Sequence, residues 1–196
     1  MNPPLSRRDV LRRLGFVAGM WWAARAEARD IPGDSVYQLR AQLTDQDGRS
    51  FELSSLRGQA VLVSMFYSSC EQVCPMIFET IRLTLLALPV ADRERVRVMM
   101  ISFDPARDSV AVLKATAEAH QCDARWALLR AEDAEVRRIA AVLGVQYRRL
   151  ASGEFNHSSA IELLDTEGRI AARTGTLGAA DPGFVKAVRK ALSRQA

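Results

Sequence analysis

"AVLVSMFYSSCEQVCP", residues 60–75, joins an aliphatic run of strand length to a proline that can open a helix, with Cys70 and Cys74 in the turn between them. Ala60 to Phe66 is almost continuously apolar, the pattern of a strand covered on both faces. Pro75 suits the first position of a helix, where its missing N–H costs nothing, and Cys74 is then the expected N-cap. Cysteines so placed stand at the carboxyl end of a strand and the amino end of a helix. Unpaired N–H groups and the positive end of the helix dipole favour a thiolate there.

Upstream of this stretch, Tyr37 to Thr44 alternates apolar and polar residues, and "TDQDGRSFEL" (44–53) supplies an Asp47-Gly48 turn, which predicts an N-terminal β-hairpin. Downstream, the helix from Pro75 carries Ile77, Ile81, Leu85 and Leu88 on one stripe and stops at Pro89. "RVRVMMISF" (95–103) reads as a second buried strand. Asp108 or Ser109 opens a helix ending near His120, "WALL" (126–129) is a short strand, and a helix from Asp133 carries Val136, Ile139, Ala140 and Leu143 up to Gly144. "VQYRRL" (145–150), "SSAIELLD" (158–165) and "RIAART" (169–174) follow, the last two joined by a turn at Thr166 to Gly168. Asp181-Pro182 caps a final helix reaching about Ser193. Strands alternating with helices demand crossovers, while the pair at Ile161 to Thr174 adds antiparallel strands. The expected fold is therefore α/β: a thioredoxin-like three-layer arrangement with a mixed central sheet and an N-terminal β-hairpin.

Residues 1–28, "MNPPLSRRDVLRRLGFVAGMWWAARAEA", have the basic head, apolar middle and small-residue end of an export signal. The apolar stretch Leu14 to Ala24 is short of the roughly 18 residues a spanning helix needs, and "SRRDVLR" resembles the twin-arginine motif. The expectation is an exported, periplasmic domain over residues 29–196, membrane-associated if the signal is retained. The leader takes five arginines and two acids with it, leaving 22 basic and 21 acidic residues, a net +1. A pI near 9.3 is then no argument for nucleic acid, which is not expected as a partner. Three cysteines in an exported chain is an odd number, so the odd one is free, intermolecular or part of a site, and a disulfide framework is not indicated.

Three residues between Cys70 and Cys74, rather than two, let the sulfurs separate to the distance that two ligands take around one ion, without forbidding a disulfide. Two thiolates make a soft site that favours Cu(I) or zinc over calcium or magnesium. A third ligand completes a trigonal set or holds Cu(II) as well, and the chain has two histidines. His157, beside the turn at Ser152 to Glu154 and at the entry to a strand, can reach across a sheet end to the cysteine loop. His120 ends a helix, where a cation simply complements the dipole. Spacing and flanks favour His157. Among the other candidates, Asp104 and Asp108 are either site residues or helix-entry caps. Cys122 is a third sulfur or an inert buried thiol. Tyr67 reads as a wall beside the cysteine loop, and Met99-Met100 as core rather than a methionine copper box.

"FYSSCEQVCP", "ISFDPARDS" and "HSSAIELLDTEG", in that order and at these separations, resemble the Sco/SenC family of copper-binding thioredoxin-fold proteins. The resemblance spans nearly all of residues 29–196. It implies a copper site of Cys70, Cys74 and His157, and a role in assembling the dinuclear copper A site of cytochrome c oxidase subunit II, by handing over Cu(I) or Cu(II) or by reducing that site's cysteines first. Another apo-copper protein is a further possible acceptor. Glu71 stands where the family usually has proline, Asn156 where it usually has aspartate, and Val110 where proline is common. None removes a ligand, but two of them alter charge beside the metal. The competing reading is an enzyme, a thiol-disulfide reductase with Cys70 as the attacking and Cys74 as the resolving thiol. A peroxidase built on Cys70 is disfavoured because no arginine pairs with that cysteine in a recognisable pattern.

Overall fold

The computed structural model describes residues 30–193; the export signal read over residues 1–28 lies outside the described residues. Contacts divide the chain into two units, Met1–Asp30 and Ile31–Ala196, and every element named below belongs to the second. In chain order these are β1 Gln42–Asp45, β2 Ser50–Glu52, β3 Ala60–Phe66, α1 Val73–Leu86, β4 Val96–Ser102, α2 Val110–Ala119, β5 Trp126–Arg130, α3 Asp133–Val142, β6 Tyr147–Arg149, β7 Phe155–His157, β8 Ile161–Leu164, β9 Ile170–Thr174 and α4 Pro182–Ser193.

Seven strands form one mixed sheet in the order β2-β1-β5-β4-β3-β8-β9. β3, β4 and β5 run parallel at its centre, and antiparallel pairs flank them. All seven residues of β3 are buried, as its unbroken apolar sequence predicts. The crossovers β3-α1-β4 and β4-α2-β5 step across the sheet in the same direction, so right-handed connections put α1 and α2 on one face. There Phe78 of α1 stacks on Trp126 at 5.7 Å. α4 packs against α1 and β3 on that side, and the opposite face is left for α3 to cover. Met99 and Met100 are core residues, as expected. The fold is the thioredoxin-like α/β arrangement that the sequence pattern predicts.

Two local expectations differ. Alternation from Tyr37 predicted strand, but Val36–Gln38 is a 3-10 turn and the strand begins at Gln42. Ser35 accepts the N–H of Tyr37, and Tyr37 is buried beneath the turn at Gly168, so a tertiary contact overrides the local pattern. The helix after the cysteine turn starts at Val73 rather than Pro75 and ends at Leu86, so Cys74 is a first-turn residue and not the N-cap. Pro75 still lies among the residues whose N–H groups have no intrahelical partner, which is why it is tolerated.

Candidate metal centre

Parallel pairing sets Phe66 of β3 opposite Ser102 of β4, which brings the two following loops together. The link continues beyond the strands, where the Phe103 N–H donates to the Phe66 carbonyl at 2.9 Å. In the first loop the Cys70 N–H donates to the Tyr67 carbonyl at 3.2 Å, and the sulfur of Cys70 then turns onto the helix, accepting the Cys74 N–H at 3.4 Å. The helix has no side-chain cap at Gln72, so this sulfur satisfies one of its orphan donors. Burial alone would raise the Cys70 thiol. The N–H and side chain of Cys74 and the N–H groups of Gln72 and Val73 outweigh it, and the thiol is held below its ordinary value. Cys74 is 3 % exposed; burial pushes its thiol well up, the Tyr67 backbone opposes, and the Cys70 and Asp108 charges reinforce the rise. Both thiols are free of disulfides.

Asp108 fixes the base of the loop. It is 1 % exposed and accepts from the Ser68 N–H at 3.1 Å, from the Ser68 hydroxyl, and from the Ser102 hydroxyl at 2.5 Å. The helix-entry cap of α2 is Ser109, whose hydroxyl accepts the Val112 N–H. Asp104 lies outside the cysteine cluster. It pairs with Arg107, whose guanidinium also donates to the Gly153 carbonyl at 2.9 Å.

His157 arrives on an element the sequence pattern did not reveal as a unit. β6 and β7 form a two-stranded sheet of their own, with Tyr147 opposite His157, Arg148 opposite Asn156 and Arg149 opposite Phe155. The expected position at the entry to a strand is therefore corrected: His157 is the last residue of β7. The available signal was a five-residue connection containing Gly153 between two short alternating runs, a hairpin pattern. The hairpin is tied down at its tip by Arg107 on Gly153 and by the Tyr67 hydroxyl, which donates to Glu154 at 2.6 Å. Behind it Tyr67, Phe103 and Phe155 pack at centroid distances of 5.1–5.2 Å, and the His157 ring stands 5.1 Å from Phe103 and 5.9 Å from Tyr67. Tyr67 is thus a wall, as expected, and also a tether through Glu154, which the sequence gave no reason to single out.

Ligand atoms of Cys70, Cys74 and His157 all lie within 4.8 Å of one another. Nδ1 of His157 lies 3.2 Å from the Ser158 carbonyl and 3.4 Å from the Ser159 hydroxyl, contacts that orient the ring. Cys70 and His157 line a cleft of about 460 Å³ together with Glu71, Gln72 and Glu154, and Cys74 lies buried behind it. His120 and Cys122 are not brought into the cluster. His120 stacks face to face on Phe78 at 3.9 Å, and burial pushes the Cys122 thiol up to about 12. A soft, partly open set of two sulfurs and one imidazole suits a soft ion, and copper above the hard cations.

Fold and site together define a thioredoxin-like protein whose strand-to-helix turn carries two cysteines met by a histidine from a separate hairpin. The chain belongs to the SCO1/SenC family, whose model matches residues 32–192. Among solved structures it is similar to Bradyrhizobium japonicum ScoI with copper bound, at 26 % identity and a TM-score of 0.65 over 80 % of this chain and 97 % of that one. Yeast Sco1 with copper bound is similar in fold, at 23 % identity and a TM-score of 0.64, over 76 % of this chain and 84 % of that one. A protein of Stutzerimonas stutzeri described as copper-binding is 24 % identical over 133 residues, 66 % of this chain and 64 % of its own length. The chain thus spans just under two thirds of that relative.

Proposed function

We propose that residues 29–196 form a copper-binding assembly factor, exported behind the leader of residues 1–28 to the periplasm, that supplies the copper A site of cytochrome c oxidase. The observation that carries this reading is the convergence of Cys70, Cys74 and His157 ligand atoms within 4.8 Å. Copper is the cargo here, and the chemistry it brings is thiophilic, easily exchanged coordination. Cys70 supplies a half-buried sulfur at the cleft, already biased toward the thiolate, so an incoming acceptor thiol can compete for its place. Cys74 supplies a sheltered second sulfur that loses its proton only when a cation replaces it. His157 supplies an imidazole nitrogen, its ring oriented by the Ser158 carbonyl and the Ser159 hydroxyl. The family membership and the copper-bound ScoI relative support the choice of ion. Copper titration of the protein and its Cys70→Ser, Cys74→Ser and His157→Ala variants tests it: each variant should bind more weakly. Unchanged affinity in all three would reject the assignment.

A thiol-disulfide reductase is the second reading. It is favoured by the asymmetry of the pair, in which Cys70 is lowered and half-buried at the cleft and Cys74 is raised and buried. That is the division of labour between an attacking and a resolving thiol. Turnover on a protein disulfide that ignores His157→Ala would support it over copper transfer.

A further inference from the structure

A second cleft, of about 560 Å³, opens beside the β6–β7 hairpin. Its apolar lining is Phe103, Tyr147 and Phe155, with Phe103 stacked on Tyr147 at 5.0 Å. Its rim is basic. Arg137 is answered by Asp133 at 2.9 Å, but Arg148, Arg149 and Arg130 meet no acid among the described residues. Arg149 lies over the Phe155 ring, and Arg130 donates only to the Pro105 carbonyl. Glu132 is the one rim carboxylate without an ion pair. Two buried donors lining the same cleft, Nε of Arg130 and the Tyr147 hydroxyl, have no hydrogen-bond partner.

We infer that this cleft docks an acidic segment of the protein that receives the metal, an inference that rests on the copper-handling reading above. Charge selects the occupant: unpaired guanidinium groups over an aromatic floor attract carboxylates and hold them in paired hydrogen bonds. Position selects the purpose. Phe155 lines both this cleft and the mouth of the cysteine centre, so a segment lying along the hairpin covers both. Tyr147 of the cleft is the cross-strand neighbour of His157, which places the docked chain beside the ligand that must let go.

The test uses the full chain without metal and a short glutamate-rich peptide as probe, followed by calorimetry or fluorescence anisotropy. The wild type should bind saturably at low salt and lose affinity as the screening length falls from about 30 Å at 0.01 M to about 3 Å at 1 M. Replacing two exposed side chains, Arg148→Glu with Arg149→Glu, should weaken binding by roughly tenfold or more, and Glu132→Gln should tighten it. No saturable binding, or equal affinity in the doubly reversed variant, would overturn the inference, as would binding to anionic vesicles with none to the peptide. Because no metal is present, a failed copper assignment leaves this result standing, and a failed docking result leaves the copper titration untouched.

Discussion

His157 is oriented by contacts of its Nδ1 with the Ser158 carbonyl and the Ser159 hydroxyl. Its replacement by alanine should weaken Cu(II) binding more than Cu(I) binding and shift the Cu(II) absorption, since the two sulfurs remain; a spectrum like that of the wild type would remove the histidine from the site. Cys70 has a pH signature. With its thiol lowered, the thiolate persists below the usual thiol midpoint of about 8.5 and is lost only as pH falls through the lowered value. Alkylation by iodoacetamide, mapped by mass spectrometry, should label Cys70 with a midpoint below about 8.5 and leave Cys74 and Cys122 largely unmodified at that pH. Asp108 supports the loop from beneath. Asp108→Ala strands three donors and should cost about 2–4 kcal/mol in urea unfolding. The three candidate ligands stood out in the sequence because cysteine and histidine are scarce there and carry the chemistry themselves. The supporting role of Asp108, and Glu154 altogether, did not, since their partners Ser68 and Tyr67 lie 40 and 87 residues away and no local pattern encodes such bonds.

Among the elements, the strands of the main sheet and α1 were readable from burial periodicity, which each carries within its own residues. The β6–β7 hairpin was not read as a unit. Its strands are three residues each, too short for alternation to stand out, and its place is fixed by aromatic packing on Tyr67 and Phe103. That hairpin carries His157 apart from the main sheet, so on the proposed copper reading its tethers should matter to binding. Tyr67→Phe and Glu154→Ala each cut the same bond and should lower copper affinity roughly tenfold, to a similar degree and without additivity in the double variant. Additive losses would show that the two side chains act separately. The turn between β8 and β9 is a second fixed point. Gly168 has φ +76°, and a Cβ there would run into the Tyr37 ring. Gly168→Ala should therefore lower stability by about 2–4 kcal/mol while leaving the cysteine centre able to bind.

At the scale of the whole molecule, a thioredoxin-like sheet presents its strand ends on one side, and one strand-to-helix turn and a hairpin bring three donors to one point. Binding that the unfolded chain cannot match must stabilise the fold: copper at about a hundred times its dissociation constant adds about 2.7 kcal/mol, a rise of roughly 5–10 °C in Tm for a chain of this size. The rise should vanish in a Cys70→Ser, Cys74→Ser variant. X-ray absorption of the copper-loaded protein addresses the convergence of the three donors most directly. The account predicts two sulfur scatterers and one imidazole nitrogen around each Cu(I), with the imidazole signal lost in His157→Ala; a sulfur-only shell in the wild type, or a spectrum indifferent to His157→Ala, would contradict it.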